Sequence, residues 1–269
     1  MKKLCAAMLS LCVGCAFAQS IQELTTAETF KGENGELLYR QYLKEGETPE
    51  TKIPLVLFLH GAGERGNDNA AQLKHGVIPL VMYSRRKGFP MLLLAPQCPQ
   101  NQMWVNTPWG ARRHAMPGPS SNMSLVLKLI AEKRKSLPID PDRIYVTGIS
   151  MGGYGTWDII QREPQLFAAA IPICGGGDTA LAPKIRDIPI WAFHGDADGA
   201  VPVSRSRSMV AALWACDGKI RYREYPGMNH DVWTRTYNDP MVLDWFFRQR
   251  KQPKPQPTAQ PETPNAEKR

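Results

Sequence analysis

Short runs of consecutive apolar residues recur along this chain and limit the folds open to it. The clearest are residues 53–59 (IPLVLFL), 91–95 (MLLLA) and 189–194 (PIWAFH). A strand that is apolar on both faces must be covered on both faces, as in the centre of a parallel sheet. Segments with helical spacing separate such runs, for example residues 125–134, which carry apolar residues on one face and lysines on the other. This order predicts an α/β domain with a mostly parallel sheet and helices on both faces.

The remaining predicted elements fit the same architecture. Residues 30–44 alternate in polarity around Asn34-Gly35, which predicts a hairpin ahead of the first buried strand. Further strands are predicted at 143–147, 167–174 and 219–225, and further helices at 154–161, 206–216 and 242–250. Ligands of such sheets bind at the carboxyl ends of the strands, so we expect the functional residues in the loops that follow the strands.

The N-terminal segment has the composition of an export signal. Two lysines precede an apolar stretch that ends in Ala16-Phe17-Ala18, a triplet with small residues at both outer positions. The stretch is too short to span a membrane comfortably. We therefore expect residues 1–18 to be a signal peptide cleaved after Ala18, giving a secreted or periplasmic protein with no transmembrane segment. A lipoprotein anchor on Cys15 is an alternative, but Cys12 occupies the position where such a motif carries an aliphatic residue.

The C-terminal segment does not have the composition of a folded domain. Residues 251–269 are rich in Pro, Gln and Glu and contain no large apolar residue, which predicts a disordered tail. The expected folded domain is therefore residues 22–250. The chain has 33 Lys and Arg against 25 Asp and Glu, a formal charge of +8. These basic residues are scattered and are not interleaved with aromatic residues, which argues against nucleic-acid binding.

The cysteines do not indicate a metal centre. Cys98, Cys174 and Cys216 follow the predicted signal peptide, and their spacing matches neither zinc ligands nor a CxxC pair. We interpret them as small buried apolar residues. We expect no metal and no organic cofactor.

The sequence TGISMGG at residues 147–153 predicts a nucleophile. Gly148-x-Ser150-x-Gly152 directly follows a predicted strand and opens a helical stretch. A sharp strand-to-helix turn holds such a serine in a strained conformation, and side chains at the two glycine positions would clash in so tight a turn. The new helix also directs its first N–H groups to the place where a tetrahedral oxyanion forms. An ordinary glycine-rich turn is the alternative interpretation.

A serine hydroxyl needs a base within hydrogen-bond reach, and that base needs an orienting carboxylate. In strand–turn–helix sites of this type the carboxylate and then the histidine follow the serine in the chain. His230 is the histidine that follows the last predicted strand, although an exposed loop histidine is the alternative. Asp196 and Asp198 both follow the strand at 189–194, and we favour Asp198 because it lies further into the loop. His194, which ends that strand, is interpreted as a packed or structural histidine.

Backbone N–H groups for an oxyanion are predicted at two places. The first is Ala62, within the small-residue loop after the strand at 53–59, and the second is Met151, which follows the nucleophile. Glu64 and Arg65 are expected to pair with each other and hold the first loop.

Three tryptophans lie in or near the predicted site loops. We interpret Trp104 and Trp233 as substrate-binding candidates that could stack on a sugar or a phenolic acid, with Trp109 nearby. Anchoring of the loops is the alternative interpretation for all three.

Four segments together, LHGAGERGNDN, DRIYVTGISMGGYGTW, HGDADGAVP and YPGMNHDVW, resemble the α/β-hydrolase superfamily in type and order. More narrowly, the chain resembles secreted bacterial esterases of the phospholipase/carboxylesterase, dienelactone-hydrolase-like, polyhydroxybutyrate-depolymerase-like and feruloyl or acetylxylan esterase groups, also described as predicted peptidases. The resemblance covers residues 37–247. It implies an α/β-hydrolase fold with about eight strands.

The same resemblance implies a serine esterase that forms an acyl-enzyme on small or polysaccharide-linked esters of the acetyl or feruloyl type. We expect a monomer or a small homo-oligomer. Three alternatives stay open. The first is a serine peptidase of the prolyl-oligopeptidase-like group, and the second is a non-catalytic carbohydrate-binding protein. The third is a structural role at the cell surface, which only the Pro-rich tail suggests.

Overall fold

The computed structural model describes residues 19–251, apart from residues 34, 47, 49, 110, 112 and 113. The predicted signal peptide at 1–18 lies outside the described residues, and so does the predicted tail after Lys251. Asn34 of the predicted hairpin turn lies outside them as well. Within the described ranges, no helix combines the length and the apolar character needed to cross a membrane.

The described part of the chain forms one eight-stranded sheet in the order β1-β2-β4-β3-β5-β6-β7-β8. The hairpin strands β1 and β2 pair antiparallel, β2 pairs antiparallel with β4, and the strands from β4 to β8 run parallel. This confirms the predicted α/β-hydrolase fold. The strands are β1 (Thr26–Gly32), β2 (Gly35–Lys44), β3 (Ile53–Leu59), β4 (Met91–Pro96), β5 (Ile139–Ile149), β6 (Ala169–Ile173), β7 (Ile190–Gly195) and β8 (Ile220–Tyr225).

Helices cover both faces of the sheet. Apolar residues of α2, α3, α4 and α5 pack in the core on one face, and those of α1, α6 and α7 pack in the core on the other. Every residue of β3, β4 and β7 is buried between the two layers, as their continuous apolar runs predict. The helices are α1 (Val77–Lys87), α2 (Ser121–Ser136), α3 (Met151–Arg162), α4 (Ala182–Ile185), α5 (Ser204–Trp214), α6 (Trp233–Asn238) and α7 (Pro240–Arg248).

Some elements extend beyond their predicted bounds or are absent from the predictions. Helix α2 begins at Ser121 because the Ser120 side chain accepts a hydrogen bond from the Met123 N–H, which caps the helix. Helix α1 is absent from the predicted elements, and so is the short α6. A signal for α1 is present in the sequence, because its buried apolar residues have helical spacing and Gly88, in a left-handed conformation, ends the helix.

Candidate active site

Ser150 occupies the turn between β5 and α3. Its backbone angles are φ 53° and ψ −117°, a conformation that strains any residue with a Cβ atom. Two backbone hydrogen bonds hold it there: Ser150 N–H donates to the Ile173 carbonyl at 2.9 Å, and Tyr154 N–H donates to the Ser150 carbonyl at 3.1 Å. The surrounding strands and helix therefore fix the serine in its strained turn.

The two glycines of the motif allow this turn to pack against the neighbouring backbone. A Cβ atom at Gly152 would lie 1.9 Å from the Leu59 carbonyl oxygen at the end of β3. A Cβ atom at Gly148 would lie 2.3 Å from the Gly152 carbonyl oxygen. Neither distance is compatible with a side chain, so the main chain would have to move. This confirms the steric reason for both glycines.

The structure brings Ser150, Asp198 and His230 together. His230 Nε2 lies 2.9 Å from Ser150 Oγ, and His230 Nδ1 lies 2.7 Å from Asp198 Oδ2. With its proton on Nδ1, His230 donates a hydrogen bond to the carboxylate, which leaves Nε2 free to accept the serine proton. The Asp198 side chain is buried, whereas 24% of the His230 side chain is exposed. A substrate can thus approach the imidazole and hydroxyl, but not the carboxylate.

Backbone donors complete the surroundings of Asp198. Its Oδ1 accepts hydrogen bonds from the N–H groups of Ala200 at 2.8 Å and Val201 at 2.9 Å. Burial opposes ionisation, but the hydrogen bonds from His230, Val201 and Ala200 outweigh it and hold the pKa of Asp198 below its usual value. Asp196 plays a different part, because its Oδ1 accepts from Gly227 N–H at 2.7 Å and ties down the loop after β8.

Asn229 links the two loops that carry Asp198 and His230. Its Oδ1 accepts hydrogen bonds from Gly199 N–H at 3.1 Å and from His230 N–H at 2.8 Å. Gly195 allows these loops to approach, because a Cβ atom there would lie 2.4 Å from the Asn229 carbonyl oxygen. Asn229 is not among the residues that the sequence predicts for the site. Its position directly before His230 is the signal that could have indicated it.

The predicted oxyanion-hole residues lie close to the nucleophile. A Cβ atom at Gly61 would lie 3.6 Å from Ser150 Cβ, which places the loop containing Ala62 directly beside the serine. Met151 is the first residue of α3, so its N–H has no acceptor within the helix. These placements suit two N–H donors directed at a substrate oxygen. Their role stays a prediction.

His60 holds the Ala62 loop in place. Its Nδ1–H donates to the Gly61 carbonyl at 2.6 Å, and its Nε2 accepts from Cys98 N–H at 2.9 Å. Burial lowers the pKa of His60 to about 4, so the ring is neutral at neutral pH. The Trp104 Nε1–H donates to the His60 carbonyl at 3.1 Å, and the two rings meet edge to face.

Trp104 corrects one expectation. Its side chain is fully buried, so it has no surface on which a substrate could stack, and its hydrogen bond to the His60 carbonyl supports the loop that contains Ala62. Trp233 is half-buried, and its ring meets that of His230 edge-on, with 5.2 Å between centroids. Of the two tryptophans predicted to bind substrate, the structure places only Trp233 beside the reacting groups. Trp109, also half-buried, accepts a hydrogen bond from the Tyr154 hydroxyl through its carbonyl.

Glu64 and Arg65 have other partners than the ones expected. Glu64 Oε1 lies 3.7 Å from His75 Nε2, and the Arg65 Nε–H donates to the Ala62 carbonyl at 2.9 Å. The expectation of a direct Glu64–Arg65 pair is wrong. The 3-10 turn Ala62–Glu64 brings the Arg65 side chain back to the carbonyl of Ala62, the first residue of the turn. Both side chains still stabilise this loop.

One group of side chains in the described part has the spacing of a metal site. Donor atoms of Cys174, His194 and Asp198 lie within 4.8 Å of one another. Asp198 Oδ2 already lies 2.7 Å from His230 Nδ1, and the Cys174 thiol donates to the His230 carbonyl at 3.4 Å, so both side chains already have partners. These residues therefore do not suit a metal ion, and we assign none to them.

The fold and the Ser-His-Asp geometry define a hydrolase of the α/β-hydrolase class. Residues 43–240 match the profile of the family described as Phospholipase/Carboxylesterase. The chain belongs to this family and is a carboxylesterase-type hydrolase.

Individual relatives agree with this assignment. The chain is similar to a solved thermostable esterase, with 41% identity and a TM-score of 0.79. The match covers 85% of this chain but 64% of the esterase chain, so it spans less than two thirds of that esterase. It is also similar to a protein of Oryza sativa subsp. japonica named as a probable carboxylesterase, with 24% identity over 191 residues, 66% of this chain and 81% of that protein. The feruloyl esterase module from Clostridium thermocellum shares 18% identity at a TM-score of 0.60, covering 84% of this chain and 88% of that chain, and shows the common fold.

Proposed function

We propose that the protein hydrolyses carboxylic esters through a covalent acyl-enzyme on Ser150. The supporting observation is the pair of hydrogen bonds, 2.9 Å and 2.7 Å, that joins Ser150 to His230 and His230 to Asp198. These three side chains come from loops after three different strands of the sheet. Their alignment matches what an activated serine requires: a base on its hydroxyl and a carboxylate on that base.

The reaction would proceed in two steps. His230 Nε2 takes the proton of Ser150 as Oγ attacks the ester carbonyl, and the N–H groups of Ala62 and Met151 stabilise the negative oxygen. His230 then gives the proton to the departing alcohol, which leaves the acyl group on the serine. Water attacks this acyl group with the same assistance and releases the acid. Asp198 stays ionised and stabilises the imidazolium that forms in each step.

The substrate we propose is a small or polysaccharide-linked ester of the acetyl or feruloyl type. Trp233 supports this choice, because an aromatic ring next to the imidazole offers an apolar surface to a sugar or a phenolic ring. The likeness in fold to a feruloyl esterase module points to the same class. We further propose export through the signal peptide at 1–18, which N-terminal sequencing of secreted protein tests: the mature chain should begin at Gln19.

A hydrolysis panel tests the proposed reaction. It compares p-nitrophenyl acetate, methyl ferulate, acetylated xylan and a peptide amide, for the wild type, Ser150→Ala and the exposed control Ser208→Ala. We expect ester turnover that falls by a factor on the order of 10⁶ in Ser150→Ala and is unchanged in Ser208→Ala. Retained turnover in folded Ser150→Ala refutes the acyl-enzyme. Preference for the amide would indicate a peptidase, and no labelling by a fluorophosphonate would indicate a binding protein.

A further inference from the structure

We propose that His194 is a positioning residue for Asp198, because its Nε2 contacts both the Val201 carbonyl and the carboxylate oxygen that binds His230. This inference rests on the proposed function, since it assigns a role within the same site. It goes beyond the structural role that the sequence suggests for His194.

The geometry places His194 directly behind the carboxylate. His194 lies near the end of β7 and is fully buried. Its Nε2 is 3.0 Å from the Val201 carbonyl oxygen and 3.1 Å from Asp198 Oδ2. The same Oδ2 atom lies 2.7 Å from His230 Nδ1. One carboxylate oxygen therefore lies between two imidazole rings.

The partners of His194 determine where its proton lies. Two acceptors face Nε2, the Val201 carbonyl and the Asp198 carboxylate, and neither can donate. The Ser206 hydroxyl lies 2.7 Å from the other nitrogen, Nδ1, and 3.1 Å from the Gly175 carbonyl oxygen, so its one proton can go to either acceptor, whereas Nε2 faces acceptors alone. The neutral ring therefore carries its proton on Nε2, which donates to the Val201 carbonyl and lies 3.1 Å from Asp198 Oδ2. Burial lowers the pKa of His194, which is consistent with a neutral ring.

Other titratable groups around His194 keep a constant charge near neutral pH. Glu224 lies opposite His194 in the register of β8, and its bonds to Arg207 lower its pKa to about 2. Cys174, which follows β6, has a raised pKa and stays protonated. Among the described residues, His230 is the other titratable group that contacts the Asp198 carboxylate. Changes in the charge of this cluster during turnover are therefore confined to His230.

The contact matters because Asp198 must hold the His230 ring in one orientation. Backbone N–H groups of Ala200 and Val201 bind Oδ1, whereas the two imidazoles face Oδ2, and Cys174 Sγ lies within 4.8 Å of a carboxylate oxygen. Without the His194 Nε2–H, the Val201 carbonyl at the end of the loop from Asp198 loses its hydrogen bond. The loop is then less constrained, and the carboxylate can rotate away from His230. We expect the loss in kcat rather than in KM, because substrate contacts are unchanged.

Two substitutions separate the Nε2 donor from mere packing. His194→Gln places an amide N–H near the former Nε2, whereas His194→Asn reaches only the former Nδ1 position next to Ser206. With p-nitrophenyl acetate we expect kcat to fall about 10- to 100-fold in His194→Asn, as is usual for lost supporting hydrogen bonds, with KM nearly unchanged. His194→Gln should recover most of this loss. Equal losses in both variants overturn the proposal.

A double-mutant cycle adds a measurement that a structural role would not affect. If His194 acts through Asp198, then His194→Asn has little further effect in an Asp198→Asn background. The rate of fluorophosphonate labelling measures the reactivity of Ser150 in both the wild-type and the Asp198→Asn backgrounds. The same fold-loss in each background overturns the proposal.

Folding and the proposed function are controlled separately. Thermal unfolding confirms that each variant is folded, and His194→Met replaces His194→Asn if that variant does not fold. A kcat that depends on Ser150 but not on His194 overturns this inference alone. Turnover that survives in Ser150→Ala overturns the proposed function instead.

Discussion

The strained turn at Ser150 predicts that the nucleophile reduces the stability of the fold that carries it. The angles φ 53° and ψ −117° are close to the mirror image of an extended conformation. Glycine adopts such a mirror-image conformation as readily as the extended one, whereas a residue with a Cβ atom is strained by about 1–3 kcal/mol. Replacing Ser150 with glycine therefore removes the strain.

A matched comparison isolates this strain. Ser150→Ala and Ser150→Gly both remove the hydroxyl that His230 binds, but only Ser150→Ala keeps the Cβ atom. Glycine also lowers the free energy of unfolding by about 0.5–1 kcal/mol, because it gives the unfolded chain greater conformational freedom. The difference leaves Ser150→Gly more stable than Ser150→Ala by about 1 kcal/mol, or roughly 2–4 °C in Tm for a domain of this size.

Differential scanning calorimetry of the two variants measures this difference directly. Both variants should be inactive, so the comparison is independent of turnover. Urea denaturation should give the same order, with equal m values. If Ser150→Gly melts at or below the temperature of Ser150→Ala, the turn does not store strain, and the reasoning from its backbone angles is refuted.

Close packing, the triad and a buried histidine each support a further prediction. Gly152→Ala should destabilise by about 3 kcal/mol or more in urea, because the new Cβ atom meets the Leu59 carbonyl, whereas Gly118→Ala, in open space, should change little. Asp198→Asn should lower kcat about 10⁴-fold while Asp196→Asn leaves kcat nearly intact, and equal losses would contradict the assignment. The pKa of His60, about 4, lies below the 6.5 of the unfolded chain, so its contribution to stability should be lost as pH falls from 6.5 to 4, by about 3 kcal/mol. A urea midpoint that stays constant from pH 6.5 to about 5 would contradict this, since carboxylates with lowered pKa values lose their contribution only below about pH 5.

Local sequence patterns predict the strands and the strained turn at Ser150 well because each depends on nearby residues. The run at 53–59 is apolar throughout, and the structure buries all of β3. The spacing Gly148-x-Ser150-x-Gly152 after a strand predicts a strained turn, and the angles of Ser150 show one. Helix α1 shows the limit of this approach. Its apolar residues have helical spacing, but Pro79 lies in its first turn and proline is disfavoured inside helices, so the two local signals conflict.

Side-chain partners are less predictable, because they depend on how distant loops pack. Trp104 lies in a predicted site loop, yet the surrounding core buries it completely. Glu64 and Arg65 are neighbours in the chain, yet one contacts His75 and the other contacts the Ala62 carbonyl. Asn229 and His194 are ordinary in the sequence, and only the meeting of the loops after β7 and β8 shows what they bind.

The sequence alone determined the order of strands along the chain, the strained turn at Ser150 and the candidates Asp198 and His230. Periodicity, glycine spacing and chain order are properties of the chain itself. Tertiary structure decided which aspartate accepts a hydrogen bond from His230, which tryptophan lies beside the imidazole, and that a second imidazole lies behind the carboxylate. The physical reason is one of range. A strand or a turn is specified by residues within a few positions, whereas a hydrogen bond between loops depends on the packing of the whole sheet to a fraction of an ångström.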